Sequence, residues 1–391
     1  MTRLESGKAW LSAIARVSVL LILASGSLPA AADQPPGRAR NVILIIGDAG
    51  GIPTLHAGSL YHHNKPNGLF IHSLPHMALM DTSASNAWVT DSAAGMTALV
   101  TGHKTNNGVL SQGPDAIRGA KNGTILKTIL EYAEEHGLST GVMSNVPVTD
   151  ATTAACYAHV SDRGNTPEIL RQFLAPRFGD GVDLLIGAGR QNVVLAADQL
   201  DIDLKAELQK LKYSYVRTPA EALASRGRTV AVFDSMDFDL PSLALHAIET
   251  LSKNPKGYFL MAECDVHTDK LKLGLEHVGV LDRMVRQIAE RAGEETLVIF
   301  CADHSFDIRL VGGKPGQPLM DGDEPAGASS KPPKPFISVG SGHSGEQVLV
   351  AAKGPGAERI RGFIANSDLF GIMMAAYGWT AGDTRREVSQ R

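Results

Sequence analysis

Four short apolar runs in this chain each lead to an acidic residue at or soon after their end, and this repeated arrangement constrains the fold more than any other feature. Residues 41–46 (NVILII) lead into Gly47-Asp48, residues 139–144 precede Asp150, residues 258–262 run into Glu263, and residues 296–302 (TLVIFCA) run into Asp303-His304. Runs this short and this uniformly apolar read as strands buried on both faces. Amphipathic stretches of helical period lie between them, at residues 124–136, 243–252 and 270–291. The alternation predicts an α/β fold: a single large domain with a mostly parallel sheet and helices on both faces. In such sheets the ligand crevice lies at the carboxyl ends of the strands. One aspartate there is ordinarily a turn residue or a helix cap. Asp48, Glu263 and Asp303 together, the last followed by His304, point instead to a shared cation site.

Composition narrows the partners. The chain has 391 residues, 43% apolar and 20% charged, enough for a large core, though length alone admits one large domain or two smaller ones. A formal charge of −4 supplies no basic field, which argues against a nucleic acid partner. The three cysteines, Cys156, Cys264 and Cys301, are widely separated and lack Cys-x-x-Cys spacing. They therefore read as small buried side chains rather than as a disulfide framework or a cysteine zinc site. At the N-terminus Arg3, Lys8 and Arg16 precede an apolar stretch at residues 17–24, and small residues follow up to Ala32. That order predicts a secretory signal spanning residues 1–32, cut after Ala32, and a periplasmic or secreted product comprising residues 33–391. No later run of about 18 apolar residues occurs, so no stable membrane association is expected after cleavage. Residues 314–335, rich in Gly, Pro, Ser and Lys, read as a surface loop, and the polar residues after Trp379 as a loosely held end.

The segment of residues 89–102 (VTDSAAGMTALVTG) predicts a helix that opens at Ser92, runs to Thr101 and is closed by Gly102. Taken alone, Asp91 or Ser92 is an ordinary helix cap. A helix start also presents free N–H groups and the positive end of the dipole, which suits an anion held beside the hydroxyl.

Five blocks in order carry a resemblance to the alkaline phosphatases. DSAAGMTALVTG is similar to that family's nucleophile segment, and GDAGG at residues 47–51 to its glycine-aspartate-glycine turn, with Ala49 in place of one glycine. VTDATTAACYAHVSDR at residues 148–163, ADH at residues 302–304 and GHSGE at residues 342–346 resemble three further blocks, so the likeness covers about Asn41 to Tyr377. It implies hydrolysis of small phosphate monoesters through a phosphoserine on Ser92, with two zinc ions and one magnesium. One zinc would be held by Asp48, Asp303, His304 and the Ser92 oxygen, and the other by His343 with residues from the segment 263–267. Magnesium would take Asp48, Thr152 and Glu263, with Asp150 reaching it through water; an all-oxygen set suits magnesium and mixed His/Asp sets suit zinc. Arg163 would clamp two phosphate oxygens in a bidentate fork, oriented by Asp91.

The segment Glu263 to Asp269 (ECDVHTD) departs from the family, whose spacing there is longer. Counting back from residues 281–283 places the second zinc's ligands at Asp265 and His267, with Asp269 the competing carboxylate. Val266 stands where relatives often have a polar residue near the phosphate. The remaining histidines, His159 among them, read as packed or exposed side chains. A phosphodiesterase of the same superfamily and a non-catalytic metal- or phosphate-binding relative stay open as alternatives. Sulfatases are disfavoured, because no Pro-Arg follows Ser92. The family is often dimeric, which leaves a homodimer open, although the short stretch between His304 and His343 argues against the usual interface elements.

Overall fold

The computed structural model describes residues 37–320 and 336–379. The expected signal sequence, the first residues of the domain after it, residues 321–335 of the expected loop and the end beyond Trp379 lie outside the described residues.

Among the described residues twelve strands form in chain order: β1 (Asn41–Asp48), β2 (His76–Asp81), β3 (Ser139–Pro147), β4 (Leu184–Ala188), β5 (Ser214–Val216), β6 (Thr229–Phe233), β7 (Tyr258–Asp265), β8 (Thr296–Cys301), β9 (Ser305–Leu310), β10 (Ile337–Ser344), β11 (Val348–Lys353) and β12 (Gly362–Ala365). Ten of them build one sheet in the order β12-β2-β11-β8-β1-β7-β3-β4-β6-β5, while β9 and β10 pair separately. The pairs from β8 through β5 are parallel. Strand β11 runs against both of its neighbours, β2 and β8.

The apolar run NVILII explains why β1 sits in the middle. Successive side chains of a strand alternate between faces. Val42, Leu44 and Ile46 enter a core with Met96, Leu99 and Val100 of the helix Ser92–Thr101. Ile43 and Ile45 enter a second core on the other face, with Leu281, Met284 and Val285 of the helix Leu271–Arg291. Each such side chain, fully buried, contributes roughly 1.5–3 kcal/mol. A polar residue at any of the five would therefore face a hydrophobic layer on whichever side it pointed.

Register brings the acidic strand ends together. Asp48 on β1 is the partner of Asp265 on β7, and Ile46 is flanked by Glu263 on β7 and Cys301 on β8. Asp303, two residues beyond Cys301, thus ends level with Asp48. The strands extend further than expected, so Glu263 and Asp265 lie within β7 rather than after it. The expected helix at residues 124–136 is shorter, Ile129–Glu135, because Thr128 caps it with Glu131 in a capping box. Strands β9 and β10 were not expected. They form an antiparallel pair whose register sets His343 opposite Phe306 and Ser344 opposite Ser305. The described part of the expected loop, residues 314–320, is exposed or nearly so. No helix among the described residues is long and apolar enough to cross a membrane.

Candidate active site

Ser92 begins its helix at the carboxyl edge of the sheet. Asp91 is the N-cap: its side chain accepts from the Ala94 N–H at 3.0 Å and from the Gly108 N–H at 2.9 Å. Gly102, at φ 76°, closes the helix in the left-handed conformation that favours glycine. The Ser92 hydroxyl is buried, 3.1 Å from His304 Nε2 and 3.5 Å from Asp48 Oδ2. The helix approaches this closely because of Gly95, where a Cβ would lie 2.7 Å from the Asp303 carbonyl oxygen. Gly95→Ala is expected to push the helix start away from Asp303 and lower kcat about a hundredfold, since misplacement of about 1 Å costs that much. Steady-state kinetics beside a thermal melt checks this; unchanged kcat would show the close approach to be unnecessary.

Ala49 stands at φ 63° in the turn after Asp48. That left-handed conformation costs a residue with a Cβ roughly 1–2 kcal/mol, whereas glycine would adopt it freely. The Ala49 N–H in turn lies 3.4 Å from Asp303 Oδ1, tying the two strand ends.

Six of the sequence-chosen ligands, Asp48, Asp265, His267, Asp303, His304 and His343, fall into groups that could hold a cation, while Asp150, Thr152 and Glu263 belong to none of these groups. Ligand atoms of Asp48, Asp303 and His304 lie within 4.8 Å of one another, as do those of Asp48, Asp265 and His267, and those of His267, His304 and His343. His304 and His343 stack with ring centroids 3.6 Å apart, which follows from the β9–β10 pairing. Asp269 is exposed and joins none of these groups. Glu263 is fully buried, and neither carboxylate oxygen has a hydrogen-bond partner of normal geometry. Asp303 Oδ2 likewise has none, and Asp48 Oδ1 has His304 Nε2 near it, at 3.2 Å. Thr152 and Ser92 are both buried, and Asp150 caps the short helix Ala151–Ala154.

The imidazoles are set up as acceptors toward the centre. Each has Nδ1 next to an oxygen: Asp265 Oδ1 at 2.6 Å for His267, the Ser305 carbonyl at 3.2 Å for His304, the Thr90 carbonyl at 3.0 Å for His343. A ring whose Nδ1–H donates in this way, when neutral, carries its lone pair on Nε2. His267 Nε2 and His343 Nε2 are 3.5 Å apart, so two lone pairs would meet without a cation or proton between them.

Charge tells the same story. Burial raises the Asp48 carboxyl, but its bond to His304 and the charges of His267, His304 and Arg163 outweigh this and hold it well below the usual range. Burial and the Asp48 charge push Asp303 up to about 7. Burial, then Asp48, Asp150 and Asp303, push Glu263 well above its ordinary value. Burial lowers His267, but the Asp265 hydrogen bond and the charges of Asp48 and Asp265 raise it to about 9. Burial and the His304 charge lower His343 to about 4. These carboxylates crowd too closely to ionise together without a positive counter-charge, and the clustered carboxylate oxygens and imidazole nitrogens fit divalent cations.

Arg163 is held on two anchors, one of them Asp91, the residue before the serine. Its Nη1 lies 3.3 Å from Asp91 Oδ2 and its Nη2 2.9 Å from Asp150 Oδ1. Burial disfavours its charge, but Asp150 and Asp91 more than compensate.

Several supporting residues escaped the sequence reading. Asn145 Oδ1 accepts the Asp265 N–H at 2.8 Å, and His277 Nδ1 lies 2.8 Å from the Asp265 carbonyl. Asn107 holds the strand of chain ahead of Ser92, accepting from the Asp91 N–H and donating to the Val89 carbonyl, both at 3.0 Å. The dipeptide Asn107-Gly108 signals a turn, but nothing in it names its partners. His159 is no ligand: it pairs with Glu131 in the core. The three cysteines are free and buried, as expected.

Comparison with known proteins agrees with this geometry. A family model described as alkaline phosphatase matches residues 39–338. Alkaline phosphatase 4 of Bacillus subtilis (strain 168) is 29% identical over 95% of this chain and 98% of its own. The tissue-nonspecific alkaline phosphatase of Homo sapiens is 30% identical over 77% of this chain and 69% of its own. Among solved structures, the alkaline phosphatase from the Antarctic bacterium TAB5 superposes with a TM-score of 0.72 at 24% identity, covering 88% of this chain and 99% of that one. Fold and site together define a hydrolase that acts on phosphoric monoesters. The chain belongs to the alkaline phosphatase family.

Proposed function

We propose that this chain, exported to the periplasm or beyond, hydrolyses small phosphate monoesters through a phosphoserine on Ser92, with two zinc ions and one magnesium as cofactors. The observation that carries the reading is the meeting of the Ser92 hydroxyl with Asp48 and His304, beside imidazoles whose Nε2 atoms face one another. Asp48, Asp303, His304 and Ser92 would hold one zinc, and Asp265, His267 and His343 the other. Asp48, Glu263 and Thr152 would hold magnesium, with Asp150 behind it. Asp265 is preferred to Asp269 because it sits beside His267, whereas Asp269 is exposed. Bound there, divalent cations would supply the charge that lowers the serine's pKa and stabilises the departing oxygen.

The chain's own groups do the rest. Arg163 is held by Asp91 and Asp150 so that its fork takes two non-bridging phosphate oxygens. The start of the Ser92 helix adds the positive end of its dipole at the phosphate, although the Ala94 N–H is taken by Asp91. Ser92 Oγ forms a bond to phosphorus as the bond to the leaving oxygen breaks. Water then attacks the phosphoserine, releasing inorganic phosphate and returning the serine. Positioning and charge dominate such transfers.

Chelation tests the reading. Dialysis of the chain lacking residues 1–32 against a strong chelator is expected to reduce hydrolysis of p-nitrophenyl phosphate by at least about a hundredfold. Zinc and magnesium added together should restore it, with about three metal ions per chain by atomic emission. Undiminished turnover in metal-free protein would rule the reading out, and faster hydrolysis of a diester than of the monoester would move it to a phosphodiesterase.

A further inference from the structure

Trp88 is 89% exposed, four residues ahead of Ser92. Tryptophan is on average a highly buried residue, and its large apolar ring gains most when covered. Among the described residues this indole makes no ring contact and no hydrogen bond. Its backbone, in contrast, is fixed on both sides. Asn107 donates to the Val89 carbonyl at 3.0 Å, accepts from the Asp91 N–H at 3.0 Å, and takes its own N–H to Asn86 Oδ1 at 3.0 Å. The Ala84 N–H reaches the Ala87 carbonyl at 3.0 Å, and the Ser85 N–H the Thr105 carbonyl at 2.8 Å. The segment bearing His343 lies alongside: its Nδ1 bonds the Thr90 carbonyl, and a Cβ on Gly345 would stand 3.4 Å from the Trp88 carbonyl oxygen. The loop is thus clamped between Asn107 and the His343 segment, with a bare aromatic ring at its tip.

Reach decides what this ring can meet. Four residues of chain span at most about 14 Å, so the Trp88 backbone lies within that distance of Ser92. A phosphate seated at Ser92 and Arg163 would leave the organic part of the ester to extend outward, where an aryl or nucleoside group could meet the indole. The fixed backbone favours this use, because the loop itself need not be ordered when the ring is covered.

We propose that Trp88 is a specificity-determining residue whose indole forms the stacking platform for planar aromatic leaving groups of the monoester. This rests on the reading of Ser92 as the site of phosphoryl transfer. Planar substituents would gain affinity from offset stacking, while small aliphatic alcohols would make little use of the ring.

The test compares kcat/KM for adenosine monophosphate and phenyl phosphate with that for glycerol 2-phosphate, using the metal-loaded enzyme as wild type, Trp88→Ala and Trp88→Phe. In Trp88→Ala the aromatic-to-aliphatic ratio is expected to fall roughly three- to tenfold, mainly through KM, and Trp88→Phe should recover most of it. An unchanged ratio, or an equal fall for both kinds of substrate, overturns the proposal. So does a shift from dimer to monomer in sedimentation velocity for Trp88→Ala, which would assign the ring to a subunit contact. A wild-type enzyme that cleaves none of the three esters would instead remove the phosphatase reading, and this inference with it.

Discussion

Ser92→Ala is expected to reduce turnover of a phosphate monoester by at least about a thousandfold while leaving the fold and most of the bound metal in place. The helix should survive the change, because its cap is the Asp91 side chain rather than the serine hydroxyl. Alanine also suits a helix better than serine, and the position is buried within a well-packed layer. The loss would fall on the chemistry. Removing Oγ takes away the one oxygen that lies 3.1 Å from His304 Nε2 and within reach of Asp48 Oδ2, so no covalent intermediate can form. Acid quenching during turnover should trap phosphate on the wild-type chain at Ser92 and none on the variant. Residual direct attack by water, aided by Arg163 and the cations, accounts for activity left above background. Wild-type-like kcat in a variant shown by atomic emission to hold its metals would end the assignment of Ser92 as nucleophile.

Much of this architecture was legible in the sequence because strands buried on both faces leave a one-dimensional signature. NVILII, YFLMA and TLVIFC are too short for helices and too apolar for an exposed sheet face, and β1, β7 and β8 lie side by side as their shared acidic ends suggested. The Ser92 helix was also readable to the residue, because its cap and its closing glycine are both local signals. What escaped was set by partners distant in the chain. The β9–β10 pair joins segments across the polar stretch at residues 311–336, and its register, not any local pattern, stacks His343 on His304. The compressed segment after Glu263 was ambiguous for the same reason. Asp265 and Asp269 are the same residue type four positions apart, and what favours Asp265 over its competitor is its pairing with Asp48 across β7 and β1 and its contact with His267, while Asp269 is exposed. His159 shows the converse. Its place in the block 148–163, close to Arg163, gave no hint that its partner would be Glu131, in a helix capped far upstream.

That partnership underlies a large stability effect expected of a single substitution outside the site. His159 is buried, with Nδ1 2.8 Å from the Ser111 carbonyl and Nε2 2.7 Å from Glu131 Oε1. A carbonyl and a carboxylate both accept, so both ring nitrogens must donate and the ring is an imidazolium. Burial disfavours that charge, but the Glu131 carboxylate, its hydrogen bond and the Ser111 carbonyl raise the histidine above its ordinary value. Glu131 Oε2 meanwhile accepts the Thr128 N–H at 2.8 Å, so the same carboxylate closes the capping box of its helix. Glu131→Ala would leave the buried Nε2 unpaired, drive the imidazole to its neutral form and open the cap together, and is expected to cost about 3–5 kcal/mol, measured by urea unfolding. A loss below about 1 kcal/mol would show that the pair carries no net charge in the fold. The pH dependence provides a second check with a definite sign. Because the folded histidine titrates above its unfolded value near 6.5, the pair's contribution is complete below that pH. It declines as pH rises through the raised folded value. Wild type should therefore lose stability relative to Glu131→Ala on moving from neutral into alkaline solution, and the gap between them should narrow. A constant gap across that range would place the proton on Glu131 or leave His159 neutral, contrary to the two acceptors that face it.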